Sequence, residues 1–227
     1  MTTIILVRHG QNDWVNKHRL AGWIPGVHLN EVGQQQAQAA AERLAPLPIK
    51  AIYSSPVLRC METANFIAAP HQLPIEELPD VGEVRYGEWE GKKIKKLAKK
   101  KEWFAVQHFP SRFQFPEGES LRAVQNRAVE MLEQLASKHP KDYIIVVSHA
   151  DLIKLVLAHY LGVHMDLFQR IVISPAAASV LQLHENGVVR VLRLNDDGPL
   201  QPPPPEKPAA EEKDEKEKAK KAKKKKK

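Results

Sequence analysis

Three short segments of this chain are dominated by apolar side chains without a charged residue, and a helical pattern follows each. The segments are 3–7, 51–54 and 143–148. Strands without alternating polar residues are typical of a parallel sheet that is covered by helices on both faces. Two further strand-like segments flank Asn186-Gly187, a dipeptide that favours a hairpin turn. The sequence therefore predicts an α/β fold with a mainly parallel central sheet and an antiparallel edge.

The positive charge of the chain is concentrated near one end. The formal net charge is +7, and residues 201–227 contribute eleven lysines against six acidic residues. This segment contains no aromatic or branched apolar residue, so it cannot form a core. We predict a folded domain over 1–197 and a disordered tail over 198–227, rich first in proline and then in lysine and glutamate. We interpret the tail as a solvating segment, and weak contact with nucleic acid or an anionic membrane is the alternative.

Several features of the sequence are typical of a cytoplasmic protein. Cys60 is the only cysteine, which excludes an intrachain disulfide. The apolar run near the N-terminus is short and has no basic residues before it, unlike a secretory signal peptide. No stretch reaches the ~18 consecutive apolar residues of a membrane-spanning helix. We therefore expect a cytoplasmic location.

Chemically active side chains follow each of the three apolar strands. The first strand runs into the tripeptide RHG at 8–10, the second into a segment that contains Arg59, and the third into His149. The carboxyl ends of parallel strands lie at one edge of a sheet, where α/β proteins bind ligands. We expect two arginines and two histidines to converge there. Glu83, in a loop before the long helix that follows Ser120, can reach the same edge.

Seven motifs follow one another in an order that is found in one enzyme family. They are RHG at 8–10, LAGW at 20–23, LNEVGQQQA at 29–37, SSPVLRCMET around Arg59, GEVRYGEWEG around Glu83, PEGESL at 116–121 and VVSHA around His149. With these motifs the chain resembles the histidine phosphatase superfamily, the phosphoglycerate mutase-like enzymes, over roughly residues 1–195. The resemblance implies the three-layer α/β/α sandwich of that family. It also implies a mechanism that passes through a phosphohistidine.

The predicted catalytic residues suit the transfer of a phosphoryl group. The charge on the phosphoryl oxygens is best matched by preorganised cations, and Arg8 and Arg59 can each present a planar fork of donors. His149 is expected to add a third donor. The same cations disfavour imidazolium and so help to keep a histidine neutral. By resemblance, His9 is the nucleophile, and Glu83 protonates the leaving oxygen and then activates water.

The resemblance also implies which residues bind the substrate. Besides the two arginines, they are Asn12, Asn16, Ala21, Gly22 and Ala150. The family usually has Ser or Thr at residue 12 and Asn at residue 15, where this chain has Val15. These two differences alter part of the expected contact with the phosphate, and an amide of Asn12 or Asn16 is expected to replace it. Where the family commonly has a second glycine after the histidine, this chain has Asp151, which is expected to cap the next helix; repulsion of anionic substrates is the alternative.

The segment over 92–118 bears on which reaction is catalysed. It is predicted to hold one short amphipathic helix over 92–104, whereas mutases of the family carry a longer insertion with substrate-binding residues of its own. We therefore predict a phosphomonoester hydrolase for a small phosphorylated metabolite. No cofactor and no catalytic metal are expected, since the two histidines lack the spacing of a metal site. A phosphomutase, and a weakly active binding module attached through the tail, are the alternatives, and a homodimer through the sheet edge stays open.

Overall fold

The computed structural model describes residues 1–198, so the predicted tail beyond residue 198 lies outside the described residues. The strands are β1 Thr2–Arg8, β2 Ile49–Ser54, β3 Ile75–Glu77, β4 Tyr143–Ser148, β5 Ala178–Leu183 and β6 Val189–Asp196. They form one sheet in the order β3-β2-β4-β1-β5-β6. Strands β1 to β4 are parallel, and β5 and β6 join antiparallel at one edge. The predicted α/β fold with a mainly parallel sheet is confirmed.

Helices of very different length connect the strands. The α-helices are α1 Asp13–Asn16, α2 Glu31–Leu44, α3 Leu58–Ala68, α4 Ile94–Leu97, α5 Lys101–His108, α6 Leu121–Lys138 and α7 Ala150–Tyr160, and short 3-10 helices span Ala69–His71, Pro79–Val81, Gly87–Trp89, Pro110–Arg112 and Met165–Arg170. The single helix predicted over 92–104 is wrong, because α4 and α5 are separate and Lys100 between them is extended, with ψ 147°. Seven lysines fall within residues 92–101, and like charges at helical spacing destabilise a continuous helix.

The sheet separates two apolar layers. On one face, Ile4 and Leu6 of β1 pack with the buried sides of α6 and α7. On the other face, Ile5 and Val7 pack with α2 and α3. This alternation along one strand produces the three-layer sandwich and fixes the register of β1, because a shift by one residue would exchange the two sets. Within residues 1–198, no helix has the length and apolar character needed to cross a bilayer.

The loop that leaves β1 packs against the start of α2 at backbone contact. A Cβ atom added at Gly33 would overlap the carbonyl oxygen of Gln11, and one added at Gly10 would overlap the carbonyl oxygen of Gly33. Asn30 caps α2 by accepting from the N–H of Gly33 at 2.8 Å, and its own N–H donates to the Gln11 carbonyl at 3.1 Å. Only glycine allows this approach, which fixes the loop that carries His9.

The substitution Gly33→Ala is expected to destabilise the protein, although alanine is the better helix former. At an open helical position, alanine stabilises by roughly 0.5–1 kcal/mol relative to glycine. Here the added methyl group overlaps backbone that cannot swing aside, and overpacking costs about 1–3 kcal/mol. Thermal unfolding measures the effect, with Gln34→Ala on the exposed side of α2 as the control. A melting temperature at or above that of the unmodified protein would contradict the close approach.

Candidate active site

A cleft of about 400 Å³ opens at the carboxyl ends of β1 and β4. The residues predicted for the site that line this cleft are Arg8, His9, Asn12, Ala21, Gly22, Arg59, Glu83 and Ala150. His149 is fully buried behind the lining, at the end of β4. The strand ends therefore bring together the arginines, the histidines and the carboxyl group that the sequence placed there.

His9 is held in one neutral tautomer by its surroundings. Its side chain is buried, and its Nδ1 lies 2.7 Å from the carbonyl oxygen of Gly10. Because a carbonyl oxygen only accepts, Nδ1 carries the proton and Nε2 carries the lone pair. Burial, followed by the charges of Arg59 and Arg8, holds the pKa of His9 well below its usual range. The ring therefore presents a neutral, unprotonated Nε2 to the cleft.

Arg59 lies in the first turn of α3 and is only 1% exposed. Its Nε donates to His9 Nε2 at 3.1 Å. Its Nη2 donates to the Gly22 carbonyl and to His149 Nδ1, both at 3.0 Å. Two buried guanidinium nitrogens, Arg59 Nη1 and Arg8 Nε, have no hydrogen-bond partner among the described residues. Buried donors are rarely left unpaired, so each of these two nitrogens has a hydrogen bond still to give.

His149 shares the guanidinium of Arg59 but takes the opposite tautomer. Arginine can only donate, so His149 Nδ1 accepts and its Nε2 carries the proton, which is donated to Ser55 Oγ at 2.8 Å. Burial and the charge of Arg59 hold the pKa of His149 well below its usual range. For His149 to donate to a phosphoryl oxygen, the Ser55 hydroxyl must turn and donate to Nε2 instead. Ser55 was not predicted as a partner of His149, although it belongs to the SSPVLRCMET motif.

Glu83 is a buried carboxyl group whose pKa is raised to about 7. Burial is the largest cause, the charge of Asp151 adds to it, and the charge of Arg59 opposes it. Its Oε2 lies 4.0 Å from Arg59 Nη2 and 3.7 Å from His149 Nδ1, and its Oε1 accepts from the Val84 N–H at 3.0 Å. Near neutral pH the group exists in both protonation states, which suits a residue that gives and takes a proton.

The loop that carries Glu83 is held by Arg127, a residue that the sequence did not single out. Arg127 donates to three carbonyl oxygens of this loop, at distances from 2.6 to 3.1 Å, and one of them belongs to Glu83. Two parallel hydrogen bonds of 2.9 and 3.0 Å join Arg127 to Glu119. Trp23 Nε1 also donates to the Glu83 carbonyl, at 2.6 Å. The sequence feature that pointed to Arg127 was its partner Glu119, which belongs to the PEGESL motif.

The structure separates the two asparagines that were expected to contact a substrate. Asn12 lines the cleft, and its Oδ1 caps α1 by accepting from the N–H groups of Trp14 and Val15. Because this oxygen is already engaged, the amide nitrogen is the part of Asn12 that can donate to a ligand. Asn16 is exposed, and its amide donates to Gln11 at 3.1 Å. Of the two, Asn12 is the one that the fold brings to the cleft.

Asp151 faces the cleft and does not cap α7. The N-cap of this helix is His149, and no side chain makes a capping hydrogen bond there. Asp151 instead accepts from Tyr86 Oη at 2.9 Å and from Lys154 Nζ at 3.2 Å, so the capping role predicted for it is wrong. Tyr86 and Lys154 also line the cleft, and neither was predicted to do so. The spacing of three residues between Asp151 and Lys154 was the usable signal.

Comparisons with known proteins agree on one family. Residues 4–197 match the model of the histidine phosphatase superfamily (branch 1). The metal-independent phosphoserine phosphatase of Arabidopsis thaliana is 35% identical over 202 residues, which cover 86% of this chain and 78% of the relative. Phosphoserine phosphatase 1 of Hydrogenobacter thermophilus is 30% identical over 200 residues, 86% of this chain and 92% of the relative. The solved structure of Bacillus stearothermophilus YhfR superposes with a TM-score of 0.80 at 26% identity and covers 86% of this chain and 98% of that one.

The hydrogen bonds around the two histidines predict opposite tautomers in solution. At about pH 6 both rings should be neutral, because the pKa of each lies well below the usual value. The proton should be on Nδ1 in His9 and on Nε2 in His149. Nitrogen-15 spectra that correlate ring nitrogens with ring protons distinguish these states, and His9→Ala and His149→Ala assign the signals. Titration of both rings near their ordinary pKa, or one shared tautomer, would contradict the network.

Proposed function

This chain belongs to the histidine phosphatase superfamily and is a phosphoric monoester hydrolase, and we propose that it acts through a phosphohistidine on His9. The observation that carries this proposal is the pair of buried guanidinium nitrogens, Arg8 Nε and Arg59 Nη1, that lack a protein partner beside a neutral His9. Such donors suit the oxygens of a phosphoryl group. The structure thus supports an anion site with a nucleophile next to it.

In the first step, His9 Nε2 attacks phosphorus and the bond from phosphorus to the leaving oxygen breaks. Arg59 Nε then donates to a phosphoryl oxygen instead of to His9 Nε2. The lone pair of Nε2 is therefore available for attack. Arg8 and Arg59 match the charge on the three transferring oxygens. Glu83, in its protonated form, donates a proton to the leaving oxygen.

In the second step, water cleaves the phosphohistidine. Glu83 is then a carboxylate, so it can accept a proton from the attacking water. The new oxygen–phosphorus bond forms as the nitrogen–phosphorus bond breaks, and His9 regains its lone pair. A carboxyl group with a pKa raised to about 7 can serve in both steps at neutral pH.

We propose that this chemistry needs no metal ion. The two arginines supply the positive charge that a metal would otherwise bring to the phosphoryl oxygens. Among residues 1–198, no three His, Cys, Asp or Glu side chains are grouped as a metal ion would require. The name of the Arabidopsis relative, a metal-independent phosphoserine phosphatase, agrees with this proposal.

The relatives favour a small phosphorylated metabolite such as phosphoserine as the substrate, since two of them are named phosphoserine phosphatases. A phosphomutase is the second candidate, because Arabidopsis phosphoglycerate mutase-like protein 4 is 33% identical over 198 residues. The short segment over 92–118 favours hydrolysis, since a mutase must retain its product until the phosphate returns.

A cytoplasmic location, a homodimer and weak tail contacts with nucleic acid or anionic membranes stay predictions.

Replacement of Glu83 by Gln should separate substrates by their leaving group. An alkyl phosphate such as phosphoserine needs the proton that Glu83 gives, so its phosphorylation step should slow by ~10²–10⁴-fold. With nitrophenyl phosphate, the rate of this step should fall much less, because nitrophenolate leaves without a proton donor. In the unmodified enzyme, the rate with the alkyl substrate should fall as the pH rises through about 7, where Glu83 loses its proton.

Rapid-quench kinetics of the first step measure this difference between the two substrates. Glu88→Gln is the matched control, since Glu88 is exposed in the same loop and does not line the cleft. Equal slowing of the first step for both substrates would remove Glu83 from the role of proton donor.

A further inference from the structure

A pair of opposite charges lies on the wall of the cleft beside the residues that are assigned to the phosphoryl group. Asp151 and Lys154 stand one helical turn apart on α7, with Lys154 Nζ 3.2 Å from Asp151 Oδ1. Both side chains are largely withdrawn from solvent, at 23% and 16% exposure. Each nevertheless lines the cleft. The pair therefore faces the space into which a substrate extends beyond its phosphate.

Both members of this pair have unused hydrogen-bonding capacity. The Asp151 carboxylate accepts one bond from Tyr86 and one from Lys154, whereas a carboxylate offers about four acceptor positions. The Lys154 ammonium donates to Asp151 and to Gln169, and it has three donors. A ligand can therefore bind to each residue without breaking the pair.

Asp151 lies next to the loop that carries Glu83, the group assigned to the leaving oxygen. It accepts a hydrogen bond at 2.9 Å from Tyr86, three residues beyond Glu83, and its charge raises the pKa of Glu83. A carboxylate in this position is unfavourable for a leaving group that carries only negative charge. It is favourable for a leaving group that carries an ammonium.

We propose that Asp151 and Lys154 form the leaving-group site, and that they select a phosphomonoester whose leaving group carries both an ammonium and a carboxylate. A phosphorylated hydroxy amino acid has this chemistry. Asp151 accepts from the ammonium, and Lys154 donates to the carboxylate. This inference rests on the proposed function, and it assigns the choice of substrate to two residues outside the predicted catalytic set.

The strength of the selection follows from the type of hydrogen bond at Asp151. An ammonium makes a charge-assisted bond to a carboxylate, which is about twice as strong as the bond from a neutral hydroxyl. At a site that is partly shielded from water, this difference amounts to roughly tenfold in affinity. Lys154 does not contribute to this difference in affinity. It contacts the carboxylate, which a ligand with an ammonium and a ligand with a hydroxyl have in common.

Two ligands isolate this difference. Phosphoserine and 3-phosphoglycerate of the same configuration at C2 share the phosphate and the carboxylate, and they differ in an ammonium against a hydroxyl. Calorimetry on the full chain with His9→Ala compares their affinities without consumption of the ligand. Phosphoserine should bind ~10-fold more tightly. Adding Asp151→Asn, which keeps an acceptor for Tyr86, should bring the ratio close to one.

Two further variants serve as controls on the same His9→Ala background. Lys154→Gln should weaken both ligands alike and leave their ratio unchanged. Glu130→Gln removes one negative charge from the exposed side of α6 and should change neither affinity nor ratio. Equal binding of the two ligands, no binding of either, or a ratio that survives Asp151→Asn would overturn this inference. Failure of the proposed function is seen separately, as no phosphate release from nitrophenyl phosphate by the unmodified chain.

Discussion

The buried guanidinium of Arg59 is the interaction on which the site depends. It donates to His9, to His149 and to the backbone at Gly22, all within 3.1 Å. Because arginine cannot accept a hydrogen bond, these contacts decide which nitrogen of each imidazole keeps its lone pair. The remaining nitrogen, Nη1, has no hydrogen-bond partner among the described residues. One side chain thus fixes two tautomers and keeps one donor unused.

The charges around the cleft set the protonation states of three groups near pH 7. Burial and the cations keep His9 and His149 neutral, while burial and the charge of Asp151 raise the pKa of Glu83 to about 7, so that its acid and carboxylate forms coexist. Without Asp151, the two arginines would pull Glu83 further towards the carboxylate form. The carboxyl group that departs from the family pattern therefore supports the assigned proton donor and also lines the space for the leaving group.

The features that could be predicted from the sequence are those that depend on the pattern of apolar residues along the chain. Strands without alternating polar residues predicted the parallel sheet, and the sheet topology then placed Arg59 and His149 at one edge. Prediction from the sequence failed where the role of a side chain depends on a partner that is far away along the chain. The bonds from Arg127 to the Glu83 loop cross at least 44 residues of chain, and those of Ser55 to His149 cross 94. Strand β3 was missed because it is three residues long and mostly exposed.

The central claim is that His9 becomes phosphorylated during turnover. The direct measurement is a rapid alkaline quench of the enzyme with nitrophenyl phosphate, since phosphohistidine survives base, followed by peptide mass spectrometry. The account predicts acid-labile phosphate on His9 that forms at least as fast as turnover. It also predicts that no phosphate is found on the protein when His9 is replaced by Ala. Turnover without a phosphoenzyme, or phosphate on His149 with His9 unmodified, would contradict the account.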